Sequence, residues 1–228
     1  MVIGITGGIG SGKSAVAGIT SRQYGFRVLS TDDIAKELEQ PGHAVYDELV
    51  KAFGEDILQE AKEGASAAGD ADGRPIDKAK FGALIYSDAA AMEKAEGIIH
   101  PATWSYVEDT IAAHPGETVV VETALPDERY RRMCDEIWYV YTDEDTRIRR
   151  LMASRGYSEE KCRSILAEQI TDEEFISFAD YIVDNSGTLE EAAARVAELI
   201  DSKNSETAEG CSAGEVDVNA AASAEDRA

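Results

Sequence analysis

The chain of 228 residues is strongly acidic, with 45 Asp and Glu residues against 22 Lys and Arg residues, a formal net charge of −23 and a pI near 4.4. A field of this sign repels phosphate polymers and anionic lipid surfaces. We therefore expect no nucleic-acid partner and no membrane partner. The length is sufficient to bury a core as one large domain that carries insertions.

The cysteines and histidines do not form a pattern typical of a metal or redox site. The three cysteines and three histidines are single and widely spaced, which favours reduced cysteines and structural or surface histidines. The chain enters an apolar strand pattern at once, and no run approaches about 18 apolar residues. The sequence thus predicts a cytoplasmic protein and gives no indication of its oligomeric state.

The first thirty residues have the pattern of a strand, a helix and a second strand. Val2 to Thr6 forms a short apolar run, Lys13 to Gln23 has helical spacing of Ala and Ile, and Gly25 to Leu29 is rich in strand formers. A glycine-rich turn joins the first strand to the helix. This βαβ unit predicts a parallel sheet.

Three further strands are predicted later in the chain, each separated from the next by a helical stretch. They are Thr118 to Glu122, Ile137 to Tyr141 and Asp180 to Val183. The economical architecture is an α/β fold with five parallel strands covered by helices.

Between the second and third strands lies far more chain than one crossover needs. Residues 77–113 read as two or three helices, so we predict an inserted helical subdomain at residues 34–113. Within it, Leu58 to Gly73 is polar and predicts a mobile surface connection. From Lys203 to Ala228 the apolar period is lost, which predicts a disordered acidic tail after a domain of residues 1–202.

Residues 7–14, GGIGSGKS, fit the phosphate-loop motif G-x-x-x-x-G-K-[ST] between a strand and a helix. Successive backbone N–H groups in such a loop can wrap a polyphosphate at a helix N-terminus. We expect Lys13 to reach the β- and γ-phosphates of a nucleotide and the Ser14 hydroxyl to bind Mg²⁺. The alternative is a glycine-rich turn without a ligand. The predicted contacts are Gly8, Gly10, Ser11, Gly12, Lys13, Ser14 and Ala15.

The loop itself does not identify the acceptor, because GTPases, ATPases and small-molecule kinases share it. Asp32 follows the second strand, and the carboxyl ends of parallel strands face the ligand crevice. Asp32 could therefore accept the proton of an acceptor hydroxyl. The alternative is that Ser30, Thr31 or one of the aspartates, Asp32 or Asp33, caps the following helix.

Five stretches of the sequence resemble the dephospho-CoA kinase family. GITGGIGSGKSAVA resembles the family's phosphate loop, and VLSTDDIAKEL resembles its D-A-D-x-I-A stretch. IDKAKFGALIYSD is similar to its L-D-R-x-x-L motif, IIHPATW to its I-x-H-P, and ADYIVDNSGT to its A-D-x-V-I-x-N. The matches run from Val2 to about Ile200 in the family's order.

The resemblance implies a P-loop kinase that transfers the ATP γ-phosphate to the ribose 3′-hydroxyl of dephospho-CoA. Asp32 matches the family's catalytic base, and Asn185 stands where the family has a residue near the adenine of ATP. Lys78 and His100 match the substrate domain. Ser30, Lys78 and the segment after Glu122 depart from the family motifs, and Lys78 keeps the charge but not the planar fork of an arginine.

The resemblance also implies an arginine-bearing lid, which we call the lid segment, residues 143–171. Such arginines stabilise the charge of the transferred phosphoryl group and exclude water. We favour Arg150 and Arg155, while the alternative for most of the lid arginines is surface pairing with Glu144 or Glu159. Two other functions stay open: a P-loop kinase for another small alcohol or nucleoside monophosphate, and a weakened member that binds nucleotide or CoA as a sensor.

Overall fold

The computed structural model describes the backbone of residues 1–60 and 73–212, and the side chains of these ranges up to residue 202. Five strands form one sheet in the order β2-β3-β1-β4-β5, and every neighbouring pair is parallel. The predicted five-stranded parallel sheet is confirmed. Its strands are β1 (Val2–Thr6), β2 (Arg27–Ser30), β3 (Val119–Glu122), β4 (Glu136–Tyr141) and β5 (Tyr181–Asp184).

The sheet is covered by helices on both faces because its central strands are apolar on both faces. Ile3 and Ile5 face a core shared with α1 (Lys13–Tyr24) and α10 (Leu189–Ser212). Val119 and Val121 face the opposite core, where α5 (Ala89–Ala113) and α6 (Glu128–Met133) pack. Within the described residues, no helix combines the length and apolar character needed to cross a membrane.

Among the described residues between β2 and β3, where the sequence predicts a helical insertion, there are four α-helices. They are α2 (Thr31–Leu38), α3 (Ala44–Phe53), α4 (Lys78–Ser87) and α5, with a 3₁₀ turn at Glu55–Ile57. Tyr46, Leu49 and Phe81 belong to a separate apolar core within this insertion. Residues 77–113 therefore form two helices, one of the two numbers that the sequence allows.

Helix α5 continues through Pro101. A proline inside a helix has no N–H for the carbonyl four residues earlier and costs about 3 kcal/mol. Packing at both ends of α5 opposes this cost: Ala95 is buried in the core of the insertion, while Trp104 and Val107 are buried against the sheet. His100 therefore lies in mid-helix, between two fixed ends.

Two predicted boundaries differ from the structure. Leu58 is buried and pairs with Ile76 in an antiparallel bridge, so the connection predicted at the surface begins with a core residue. Residues 61–72 of that connection lie outside the described residues. At the other end, the backbone of α10 continues to Ser212, past the predicted start of the tail at 203. Good helix formers propagate a helix without tertiary contacts, and residues 213–228 lie outside the described residues.

Three further helices lie between β4 and β5. The lid segment contains α7 (Glu144–Arg155) and α8 (Glu159–Ala167), and α9 (Asp172–Phe178) follows it. Ile148, Leu151 and Cys162 form a small apolar core between α7 and α8, with Ile9 of the phosphate loop packed against it. The lid segment therefore contacts the loop directly.

Gly4, in the middle of β1, gives a test of the packing on the α6 face. A Cβ at this position would lie 2.6 Å from the hydroxyl oxygen of Tyr130 and 2.9 Å from the sulfur of Cys134. Tyr130 is fully buried and donates a hydrogen bond of 3.0 Å to the Val121 carbonyl. We expect Gly4→Ala to lower the free energy of unfolding by about 1–3 kcal/mol, since neither neighbour can move aside.

The matched control is Gly82→Ala in α4, where the nearest atom to the new Cβ is Tyr86 at 3.9 Å. This change should stabilise the protein by up to about 1 kcal/mol because alanine is the better helix former. Chemical denaturation measures both. Equal effects of the two substitutions would contradict the tight packing at Gly4.

Candidate active site

The phosphate loop bends between β1 and α1 through glycines in the left-handed region. Gly10 has a φ of 77° and Gly12 a φ of 86°, and Gly12 is the N-cap of α1. Residues with a Cβ adopt these angles at a cost in free energy. The backbone therefore favours glycine both at Gly12, a fixed position of the motif, and at Gly10, one of its variable positions.

Protein donors hold the carbonyl oxygens of the loop. The Ile9 carbonyl accepts from Arg147 Nε at 3.0 Å, and the Ser11 carbonyl accepts from Asn185 Nδ2 at 2.7 Å and from Thr142 Oγ1 at 2.9 Å. In a trans peptide the C=O and the next N–H point in opposite directions. The N–H groups of Gly10 and Gly12 consequently point away from these donors.

Four N–H groups of the loop are free for a ligand. Within residues 1–60 and 73–212, no acceptor takes the N–H of Gly10, Gly12, Lys13 or Ser14. Such a row of N–H groups at a helix N-terminus is an anion site. Three further N–H groups are used internally: Ile9 donates to Gln169 Oε1 at 2.9 Å, Ser11 to the Gly8 carbonyl at 3.3 Å and Ala15 to the Gly12 carbonyl at 2.9 Å.

Gly8 and Gly12 also let other parts of the protein approach the loop. A Cβ at Gly8 would collide with the Arg147 guanidinium, and a Cβ at Gly12 would collide with the Asn185 amide. Ser11 contributes through its backbone, because its side chain is 1% exposed and its Oγ lies 2.9 Å from where a Gly7 Cβ would be.

The side chains of Lys13 and Ser14 lie beside Glu122, at the end of β3. Ser14 Oγ donates to Glu122 Oε1 at 2.8 Å, and Lys13 Nζ donates to the Gly8 carbonyl at 3.2 Å. Burial raises the pKa of the Glu122 carboxyl, with the Ser14 hydrogen bond and the Lys13 charge opposing the rise. Burial likewise lowers the pKa of Lys13, and the charges of Glu122 and Asp32 oppose that shift.

Asp32 is not the cap of α2. The N-cap is Ser30, whose Oγ accepts from the Asp33 N–H at 3.4 Å, and Asp33 itself pairs with Lys36 at 2.7 Å. Asp32 is exposed in the first turn of the helix. The sequence leaves two roles open for Asp32, proton acceptor and helix cap. The role of cap belongs to Ser30 instead.

Asp32 and His100 line the same cleft, of about 370 Å³. Its other walls come from α2, α5, the loop after β3 and the end of the lid segment. These walls are formed by Thr31, Ala35, Ile99, Thr103, Trp104, Thr123, Ala124, Leu125, Pro126, Asp127 and Ile170. The cleft is largely apolar, and its titratable lining residues are Asp32, Asp127 and His100.

Lys78 lies apart from this cleft, at the first position of α4. Its side chain is exposed. Burial raises the pKa of Glu39, and the charge of Lys78 opposes that rise. The structure thus brings Asp32 and His100 together but does not place Lys78 among the residues that line the cleft.

Asn185 and Arg150 support the loop from behind. Asn185 is 3% exposed and gives its amide to the Ser11 carbonyl, while Arg150 Nη2 donates to the Asn185 carbonyl at 2.8 Å. Arg150 Nη1 lies 3.4 Å from the Ser11 carbonyl and 3.4 Å from Thr142 Oγ1. A contact of Asn185 with adenine stays a prediction.

The other lid arginines differ in their surroundings. Arg155 is exposed at the end of α7, and its charge helps to lower the pKa of Lys13. Arg163 pairs with Glu144 at 2.6 Å and with Glu159 at 2.9 Å, which is the surface pairing expected for most of these arginines.

Sequence reasoning did not single out Arg147, Gln169 or Thr142 as site residues, although all three touch the loop. Arg147 is 9% exposed and donates to the Ile9 carbonyl and to Gln169 Oε1. The sequence does carry a signal for the burial of Arg147: it lies four residues before Leu151, which puts both on the same face of a helix. No sequence pattern points to Gln169, which lies between α8 and α9.

The chain matches known proteins over most of its length. A family model described as dephospho-CoA kinase matches residues 1–191. The dephospho-CoA kinase of Geobacter sulfurreducens is 36% identical over 202 residues, covering 87% of this chain and 96% of that protein. The dephospho-CoA kinase of Corynebacterium efficiens is 37% identical over 205 residues, covering 87% of this chain and 94% of its own.

Solved structures share the fold. A protein from Thermus thermophilus superposes with a TM-score of 0.72 at 26% identity, covering 89% of this chain and 97% of that chain. The dephospho-CoA kinase from Campylobacter jejuni superposes with a TM-score of 0.61 at 21% identity, covering 89% of this chain and 98% of that chain. The family model spans the phosphate loop, the helical insertion and the lid segment in one match. The chain therefore belongs to the dephospho-CoA kinase family.

Proposed function

We propose that this protein transfers the γ-phosphate of ATP to the ribose 3′-hydroxyl of dephospho-CoA. The observation that carries the proposal is the cleft lined by Asp32 and His100, together with the charge of Asp32, which opposes the lowering of the pKa of Lys13 in the phosphate loop. A carboxylate and a phosphate-binding lysine are thus within electrostatic reach of each other. This is the arrangement that phosphoryl transfer to an alcohol requires.

ATP binds with its phosphates on the free N–H groups of Gly10, Gly12, Lys13 and Ser14 in this proposal. Gly8, Ser11 and Ala15 shape the loop through their backbone bonds. Asn185 donates to the Ser11 carbonyl, and Arg150 donates to the Asn185 carbonyl. The first effect of both residues is therefore on the geometry of the loop. Arg155, exposed at the end of α7, is the lid cation with freedom to approach the transferred group.

The donors beside the loop fit Mg²⁺. Ser14 Oγ and Glu122 Oε1 lie 2.8 Å apart, and both are hard oxygen atoms. In the described part of the chain, no group of three or more His, Cys, Asp or Glu residues is arranged to hold a metal ion. This agrees with Mg²⁺, which takes one or two protein ligands and completes its shell with water and phosphate oxygens. Bound there, Mg²⁺ would neutralise charge on the phosphates.

Asp32 acts as the general base in the proposed reaction. The 3′-hydroxyl oxygen forms a bond to the γ-phosphorus while the bond from that phosphorus to the β,γ-bridging oxygen breaks, which releases ADP. The hydroxyl proton passes to the Asp32 carboxylate. Lys13, held at the loop by the Gly8 carbonyl, stabilises the negative charge of the transferred group.

The insertion supplies the binding surface for dephospho-CoA. His100, exposed on α5 at the cleft, is within reach of an acceptor beside Asp32. Lys78 lies farther away at the start of α4, so it suits a distant anionic group of a long substrate rather than the reacting ribose. The absence of nucleic-acid and membrane partners and the cytoplasmic location stay predictions from the sequence.

Turnover with defined acceptors tests the proposal. ATP consumption, measured in a coupled assay, should depend on dephospho-CoA and give no comparable rate with adenosine, shikimate or gluconate. A higher rate with one of these controls would assign another acceptor to the site. Binding of ATP and CoA without turnover would favour a sensor.

Lys13→Ala should abolish turnover and leave the fold intact. The ammonium group is the loop's direct charge for the transferred phosphoryl group. Burial lowers the pKa of Lys13, which means that the folded protein holds this charge at a cost in free energy. Removal of the ammonium group should therefore not unfold the protein. Initial rates and circular dichroism measure the two effects, and a folded variant with a near-normal rate would rule out this phosphate site.

Asp32→Asn should reduce turnover by roughly 10² to 10⁴, the range for the loss of general-base catalysis. The melting temperature should change little, since Ser30 rather than Asp32 caps α2. Asp33→Asn is the matched control, because Asp33 pairs with Lys36 at the surface and should affect the rate much less. The opposite order of rates would assign the base to Asp33.

Glu122→Gln should lower the rate roughly 10–100-fold and raise the Mg²⁺ concentration needed for half-maximal rate.

Burial raises the folded-state pKa of Glu122, so its contribution to stability is present below the unfolded pKa, near 4.5, and is lost as the pH rises through the folded pKa. Without Mg²⁺, the variant should therefore melt at the same or a higher temperature than the parent at pH 8. At pH 4 this advantage should disappear, and a lower melting temperature at pH 8 would contradict it.

A further inference from the structure

Ile9 is the residue at which the lid segment grips the phosphate loop. Its N–H donates to Gln169 Oε1 at 2.9 Å, and its carbonyl accepts from Arg147 Nε at 3.0 Å. Its side chain packs against the apolar core of Ile148, Leu151 and Cys162. The backbone and the side chain of one loop residue are thus both committed to the lid segment.

Gln169 joins these contacts into one unit. Its Oε1 accepts from the Ile9 N–H and also from Arg147 Nη2 at 2.8 Å. Both partners are donors, so chemistry alone requires the oxygen rather than the nitrogen of the amide at this place. We call this unit, Arg147 and Gln169, the loop clamp.

The burial of Arg147 is unusual for a cation. It is 9% exposed, and none of the ion pairs formed by the described side chains includes it. A buried charge is costly unless hydrogen bonds or an opposite charge compensate it. Here a backbone carbonyl and a neutral amide provide the hydrogen bonds, so the positive charge is kept beside the loop without a carboxylate.

We infer that the loop clamp is a positioning device for ATP: Arg147 and Gln169 set the direction of the Gly8–Ile9 and Ile9–Gly10 peptides and thereby aim the Gly10 N–H at the phosphates. The inference deepens the proposed function and rests on it for turnover, but not for ATP binding. Arg147 acts through the backbone of Ile9, so it is a positioning residue rather than a catalytic one.

Gly8 provides an independent way to disturb the clamp. A Cβ at Gly8 would occupy the position of the Arg147 guanidinium, which is the flexible end of a side chain. Gly8 is absent from the residues with positive φ, so alanine is compatible with its backbone. Gly8→Ala should therefore expel the guanidinium and reproduce the loss of Arg147.

The first experiment compares Arg147→Met and Arg147→Lys with the control Arg163→Met. Displacing the loop should raise the KM and the dissociation constant for ATP roughly 10- to 100-fold, with the KM for dephospho-CoA unchanged. Lysine keeps the charge but has a single nitrogen in place of the two that bond Ile9 and Gln169 in the arginine fork, so it should not restore full ATP affinity. Arg163 pairs with Glu144 and Glu159 on the same lid, and its removal should leave ATP affinity unchanged.

The second experiment is a double-mutant cycle with Gly8→Ala and Arg147→Met. Since both changes are expected to remove the same contact, the double variant should bind ATP no more weakly than the weaker single variant. Effects on ATP affinity that multiply would overturn the inference. So would equal ATP affinities for Arg147→Met and Arg163→Met.

A third measurement, of amide hydrogen exchange by NMR without nucleotide, separates the clamp from the activity. The Ile9 N–H should lose protection in Gln169→Leu and keep it in Gln169→Glu, which retains the acceptor oxygen. Equal exchange in the two variants would contradict the clamp. Absence of turnover with dephospho-CoA in the parent protein would contradict the proposed function alone, since ATP binding and exchange test the clamp without it.

Discussion

The direction of two carbonyl groups in the phosphate loop, those of Ile9 and Ser11, determines what the rest of the molecule must supply. Each of them has to be held on the outer side of the loop, because the N–H of the following residue, Gly10 or Gly12, then faces the ligand. The donors come from distant parts of the chain: Arg147 for Ile9 and Asn185 for Ser11. The parallel sheet brings these parts together, since β1, β4 and β5 are neighbours and end at the same edge.

The sheet order also explains the electrostatics beside the loop. β3 lies between β1 and β2, so Glu122 at its end stands between Ser14 and the start of α2. Lys13 and Glu122 are each partly desolvated, and their opposite charges reduce the pKa shifts that burial causes in both. Each of the two groups therefore opposes the loss of charge that burial favours in the other.

Local patterns predicted the sheet and the loop, because the apolar strand runs and the loop motif are contiguous in sequence. The sequence alone could not exclude helix capping as the role of Asp32, because Ser and Asp are equally good N-caps. The structure excludes it, since the N-cap of α2 is Ser30. Gln169 escaped prediction for a different reason: its partner, Ile9, is 160 positions away. Leu58 was misjudged because the polar composition around it hides a single core residue.

A net charge of −23 opposes the approach of an anionic nucleotide, but the cations at the loop have different partners from those at the surface. At the surface, neighbouring glutamates neutralise Arg27, Arg129 and Arg163. At the loop, carbonyl and amide oxygens accept the hydrogen bonds of Arg147 and Arg150. Surface charges are screened beyond about 8 Å at physiological ionic strength, while buried charges are screened much less. A bound phosphate at the loop is therefore governed by the nearby cations rather than by the acidic surface.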